Sequence, residues 1–251
     1  VLLRVLQGFD VSPPNRPAEE TAGARERLRA LGYTGGSPAP AREKYTDQDD
    51  PKRLIELDRM LHRARELFQA GRPGDAVNVF QQIIARRPDT ADAYRNMSFV
   101  LWQSGRPGQA IATLEAALRN GVTQRDIQVK LGSYLTEVGA AAKAIPLLEA
   151  LPQDDTEALN ALGIAYARTG RPADAMRLFR RALEFDATSG LAHQNIGTLH
   201  LQAGDLKGAE ASLREALRID PSLAGAQTTL GVVLVKTGRG PEAVEAWTKS
   251  G

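Results

Sequence analysis

The chain has no cysteine among its 251 residues, which excludes disulfides, thiolate metal sites and cysteine nucleophiles while naming no compartment. Aromatic residues make up only 5% of it, so a core has to be assembled from Leu, Ala, Val and Ile. No apolar run reaches the roughly 18 residues of a membrane-spanning helix. Nor does either sign of charge dominate: 32 Lys and Arg stand against 30 Asp and Glu, a formal net charge of +2, too balanced for the basic surface of a nucleic-acid binder. The sequence opens on Val1 without Met, signal peptide or transit segment, which leads us to expect a piece of a longer protein. What remains, 42% hydrophobic and 25% charged, is the composition of an ordinary soluble folded protein, for which the cytoplasm and a bacterial periplasm are equally suitable.

One short phrase is written three times: GRPGDAV at 71–77, GRPGQAI at 105–111 and GRPADAM at 170–176. Its glycine recurs as Gly71, Gly105, Gly139, Gly170, Gly204 and Gly238, at intervals of 34, 34, 31, 34 and 34 residues. Each is followed five residues later by Ala (Ala76, Ala110, Ala144, Ala175, Ala209, Ala243) and preceded seven earlier by a small residue (Ala64, Ser98, Gly132, Gly163, Gly197, Gly231). Nine after each comes a large apolar side chain: Phe80, Leu114, Leu148, Phe179, Leu213 and Trp247. Before the glycines, apolar residues recur at helical spacing, as in Leu159, Leu162 and Tyr166. A glycine supplies the left-handed conformation that ends a helix. The following Pro73, Pro107 and Pro172 suit the first turn of the next helix, where a missing N–H costs nothing. The phrase is therefore expected to be the turn of an antiparallel helix pair, with the small residue and the Ala at the close crossing.

Small residue, Gly, Ala, large apolar residue and a closing proline at this period resemble the tetratricopeptide repeat. Pro88 and Pro221 stand at the closing position, whereas Val122, Thr156 and Ala187 replace it elsewhere. The resemblance implies an all-α fold, a right-handed superhelix of about six helix-turn-helix repeats covering roughly 57–90, 91–124, 125–155, 156–189, 190–223 and a truncated 224–251. Pro146 lies inside the second helix of the short third repeat, where it removes a hydrogen bond and should bend the helix. Trp247 and Val244 should lie uncovered at the end of the array, since terminal repeats of a solenoid need a polar outer face; self-association through that end is one expectation.

Residues 1–50 differ in kind. Six of the fourteen prolines fall at or before Pro51, and Gly35 to Pro40 reads as a linker. Between them Ala18 to Leu31 has the composition of a short leader helix, expected to dock on the first repeat through Leu28, Leu31 and Tyr33. We therefore divide the chain into a leader, 1–50, and an array, 51–251. RERLRALGYTGG (25–36) followed by DPKRLIELDRMLHRARELFQAG (50–71) also resembles the junction behind some bacterial sulfatases of the alkaline-phosphatase superfamily, which carry a tetratricopeptide tail. That resemblance implies a hydrolase upstream of Val1, none of whose catalytic residues lies in this chain.

No active site is expected here, and no metal or cofactor site. His193 and His200 stand seven residues apart, about 10 Å along a helix, too far to share a metal without further ligands. His200 falls in the column of Tyr166, at a helix interface. Asp49-Asp50 and Asp154-Asp155 precede helices, where capping accounts for them. No glycine-rich loop ends in Lys-Ser or Lys-Thr to cradle a phosphate.

Function then rests on surface shape. In tetratricopeptide arrays the first helices line a concave groove, and the resemblance places Arg65 and Phe68 there from the first unit, and Arg95, Asn96, Phe99, Trp102 and Gln103 from the second. The third contributes Lys130, Ser133 and Glu137, the fourth Asn160, Ile164 and Arg168, the fifth Gln194, Asn195, Thr198 and Gln202. Amides offer a donor and an acceptor to any peptide backbone, and Arg65, Arg95 and Lys130 beside Phe99 and Trp102 suit an acidic peptide with an apolar anchor. Phe68 and Trp102 are also spaced to pack between units. The family's carboxylate clamp is poorly reproduced: Asn96 matches and Lys130 falls where its Arg should be, but Leu61, Arg65 and Asp126 replace the rest. The expectation is a protein-interaction scaffold binding a partner peptide or helix; the alternative is the non-catalytic tail of a hydrolase.

Overall fold

The computed structural model describes residues 51–248, all within one compact unit, Asp50–Gly251. The leader with its expected helix, the Asp49-Asp50 pair and residues 249–251 lie outside the described residues. Those described form twelve helices in six antiparallel pairs: α1 Pro51–Gln69 with α2 Pro73–Arg86, α3 Ala91–Gln103 with α4 Pro107–Arg119, α5 Arg125–Glu137 with α6 Ala141–Glu149, α7 Thr156–Arg168 with α8 Pro172–Phe185, α9 Gly190–Gln202 with α10 Leu206–Ile219, and α11 Ala224–Lys236 with α12 Gly240–Thr248. There is no strand among the described residues.

Every pair closes in the same way. Arg72 N donates to Leu67 O at 2.9 Å and Gly71 N to Phe68 O at 3.0 Å, and the same two bonds recur at Gly105, Gly139, Gly170, Gly204 and Gly238. This is the Schellman end of a helix, which requires a left-handed residue at its apex; the six glycines have φ between +70° and +84°. Pro73, Pro107 and Pro172 open their helices as expected. A seventh such end, at Gly121 with φ +77°, returns the chain to the third unit where the closing proline is missing: Val122 N donates to Ala117 O at 2.9 Å.

The small and large columns meet face to face. A Cβ placed on Gly132 or Gly197 would come within 2.7 Å of Leu148 or Leu213, and Gly163 and Gly231 are covered in the same way by Phe179 and Trp247. The six Ala residues five after the turns are fully buried, as are Ala64 and Ser98. Each unit thus interlocks one large side chain with one small one, and the core is the sum of these contacts. It runs continuously from Leu61 to Leu199; a second, smaller cluster holds Ala209 to Ala243. The third unit is the irregular one. α6 runs through Pro146 and ends at Glu149 after 9 residues. Gln153 Nε2 donates to Leu148 O and Leu151 O, at 3.3 and 2.9 Å, to hold the connection. Asp155 then caps α7 as expected, accepting from Glu157 N and Ala158 N.

α12 is fastened to α10 by charge. Arg239 Nη1 lies 2.7 Å from Glu210 and Nη2 2.5 Å from Glu242, while Arg214 reaches the same two carboxylates at 2.9 and 3.7 Å. Hydrogen bonds from Arg239 hold both carboxyls below their ordinary value of 4.5. Groups whose folded pKa is depressed stabilise above the unfolded value, and that contribution vanishes as the pH falls through the folded one. With Trp102→Phe leaving Trp247 as the sole tryptophan, fluorescence should report loosening of α12 below about pH 4, before the far-ultraviolet helical signal is lost. A single transition in both signals would refute local fastening.

Candidate functional site

The first helices of the units follow one another along one side of the array, with α1 against α3, α5 against α7, α7 against α9 and α9 against α11. α3 and α5 stand farther apart, and long side chains bridge them. Trp102 stacks on Tyr134 with ring centroids 3.9 Å apart and planes 9° from parallel. Arg95 Nη1 donates to Asp126 at 2.6 Å and its other nitrogen to Asp92. Lys130 Nζ sits 5.6 Å from the centre of the Tyr134 ring. Burial, helped by the charge of Glu137, pushes the Tyr134 phenol up to about 12.

On either side of this bridge lies an opening. Between α1 and α3 a pocket of about 250 Å³ has Phe68, Phe80, Phe99 and Val100 as its apolar lining and Arg65, Gln69 and Asn96 as its polar lining. Phe68 and Phe99 meet edge to face at 5.8 Å. Asn96 Nδ2 donates one of its two hydrogens to Asp92 O at 2.8 Å, which orients the side chain. Arg65 is exposed and has no ion pair among the described residues. Across α5, α7 and α9 a wider cleft of about 700 Å³ is floored by Phe179 and Leu199 and edged by Glu137, Ile164, Arg168, Gln194, Asn195, Thr198 and Gln202. Asn195 Nδ2 reaches Asn160 Oδ1 at 3.4 Å, and Thr198 Oγ1 donates to Gln194 O at 3.0 Å. Gln194 itself lies against Gly225, where a Cβ would sit 2.9 Å from its Oε1.

The sequence-derived residues therefore fall into two groups, eleven of them lining the two openings. Two expectations change. Arg65, Arg95 and Lys130 do not make a basic stripe, because Arg95 is matched by Asp92 and Asp126. Asn160 is buried, 7% exposed, so it supports Asn195 instead of facing a ligand. Of the two readings given for Trp102 and Phe68, the half-buried rings show the packing one: they lie between neighbouring first helices, Trp102 closing the wall at its stack with Tyr134 and Phe68 also lining the first opening. Ser133 is half-buried on α5 and Gln103 exposed at the end of α3; neither lines an opening. Tyr134 and Gln69 were not anticipated. The signal for the stack is an aromatic in the next unit, Tyr134, two positions short of the column of Trp102. His200 is half-buried at its helix end, with Nδ1 2.9 Å from Asp205. Among the described residues no group of three or more His, Asp or Glu could hold a metal ion, and no helix is long and apolar enough to cross a membrane.

A tetratricopeptide-repeat family model matches residues 61–121, 100–156 and 195–249, and a second model of the same description matches 156–189. No curated protein matches. Among solved structures, PilW, a widely conserved type IV pilus biogenesis factor, superposes with a TM-score of 0.63 at 16% identity, over 76% of this chain and 90% of that one. MamA 41-end from Desulfovibrio magneticus RS-1 gives 0.56 at 18% identity, over 67% and 97%. YrrB, a TPR protein with an unusual peptide-binding site, gives 0.52 at 23%, over 70% and 94%. At these identities the likeness establishes the fold.

Proposed function

Because the chain belongs to the tetratricopeptide-repeat family, we propose that the first-helix side is the concave groove of a protein-interaction scaffold and that a partner's extended peptide lies in it. The observation that carries this reading is the pair of openings on that side, lined by side chains that either hydrogen-bond without regard to sequence or offer an apolar floor. Such surfaces bind through a few anchored side chains and main-chain hydrogen bonds. No chemistry is assigned to the array, and the partner surface it offers is closer to neutral than a basic stripe would be.

The test is affinity capture of partners from the source cell by the tagged chain. The triple variant Arg65→Glu, Gln194→Ala, Asn195→Ala should lose the partner recovered by the unmodified chain, with the helical circular-dichroism signal unchanged. Arg180→Ala, exposed on α8, should keep it. Equal recovery by the triple variant removes the groove from consideration.

A second reading rests on the sequence of residues 25–71 alone: the array as the non-catalytic tail of a sulfatase-like hydrolase. The reading frame upstream of Val1 decides it, since a Cys/Ser-x-Pro-x-Arg motif there supports a parent hydrolase and an initiation codon next to Val1 rejects one.

A further inference from the structure

We propose that the partner is held at two separated points: an apolar side chain flanked by a carboxylate enters the pocket between α1 and α3, and an uncharged stretch of the same extended segment lies over the cleft across α5, α7 and α9. This deepens the groove reading and rests on it.

The division comes from the bridge between α3 and α5. Where the other first helices leave openings, the Trp102–Tyr134 stack and the Arg95–Asp126 pair fill the wall. A ligand crossing this part finds aromatic faces and a neutralised guanidinium.

The two openings differ in what they accept. The first has the rings of Phe68, Phe80 and Phe99 for an apolar side chain, and Arg65, unmatched among the described residues, beside them. A guanidinium without a partner next to an apolar pocket favours a carboxylate adjoining the anchor, because a charge-assisted bond forms there without breaking another. The second opening carries one of each charge, Glu137 and Arg168, and otherwise Gln194, Asn195, Thr198 and Gln202. Its amides can each give and take a hydrogen bond from a main chain, while the opposed charges leave no net attraction for a charged ligand. From the gap between α1 and α3 to that between α7 and α9 is three helix-to-helix steps, at about 8–10 Å for helices in contact and more for the step from α3 to α5. At roughly 3.3 Å per extended residue, the two determinants should lie about eight or more residues apart.

The probe is a phage-displayed library of random peptides, on the order of sixteen residues to span both openings at that rise per residue, selected on the whole 251-residue chain. Binding of the selected peptides is then measured by fluorescence anisotropy. We expect Asp or Glu next to Leu, Ile, Met or Phe, and an uncharged stretch about eight or more residues away. Arg65→Glu should weaken binding by about tenfold or more, and Gln194→Ala with Asn195→Ala by about tenfold. Each loss should disappear when the peptide lacks the matching determinant, and circular dichroism of each variant should be unchanged. If either half-peptide binds as tightly as the whole while these variants still weaken it, two-point recognition is overturned and the groove reading stands. If the selected peptides ignore the variants, or no peptide is selected, both readings fall.

Discussion

Phe179→Ala should destabilise the array by about 3–5 kcal/mol, the range for a large aromatic removed from a core, in urea unfolding followed by circular dichroism. Phe179 is 1% exposed. It covers Gly163 and also floors the cleft between α7 and α9, so its loss empties space on both sides. In a solenoid each unit touches only its neighbours, and stability is close to a sum of unit and interface contributions. A cavity in the fourth unit should therefore split one unfolding transition into two, since the units on either side lose their connection. A fall in midpoint with a single unchanged slope would show the array to be more cooperative than nearest-neighbour packing allows. The complementary change, Gly163→Ala, should cost about 1–3 kcal/mol through overpacking against the same ring, despite the better helix propensity of Ala.

Gly170→Val should cost about 2 kcal/mol for an unrelated reason. Gly170 has φ +77°, and a Cβ there would meet nothing within 4 Å. Space is free; the backbone conformation is not. A left-handed residue other than Gly costs roughly 1–2 kcal/mol, and a β-branched side chain lies at the upper end of that range. Gly74→Ala is the control: it too has open space around it, without a left-handed backbone, and should be neutral or slightly stabilising. Equal losses at positions 74 and 170 would mean that the Schellman geometry at Gly170 carries none of the effect. Two glycines of one hairpin, 163 and 170, are thus required for opposite reasons, one for room and the other for conformation.

Much of this architecture is legible in the sequence because it depends on residues at fixed spacing. The turn glycines, the buried Ala column and the interlock of small with large all follow the 34-residue period. The features that escaped it depend on pairs from different units. Arg95 and Asp126 are 31 residues apart, and nothing in either unit's own pattern says that one neutralises the other. Tyr134 meets Trp102 across the gap between α3 and α5, a contact between two units that neither unit's own pattern contains. Asn160 stands in a column that is half-buried or exposed at Arg95, Gln194 and Thr228 but buried at Leu61 and Val129, so the column alone does not say which way it faces. The left-handed Gly121 had a local signal, Asn120-Gly121 after a helical run, but it lies outside the repeating column of turns. The two openings could be anticipated as a list of residues, and not as two places, since the wall between them is made of contacts across units.

The interrupted core has a mechanical consequence. From Leu61 to Leu199 buried side chains touch without a break, and the rings of Phe68, Phe99, Trp102 and Tyr134 lock the first three units along one side. Beyond Leu199 a smaller cluster and a partly exposed ionic clasp carry the load. A molecule pulled by its ends would yield from the C-terminal side, α12 peeling away first at low force while the aromatic-laced half keeps its length.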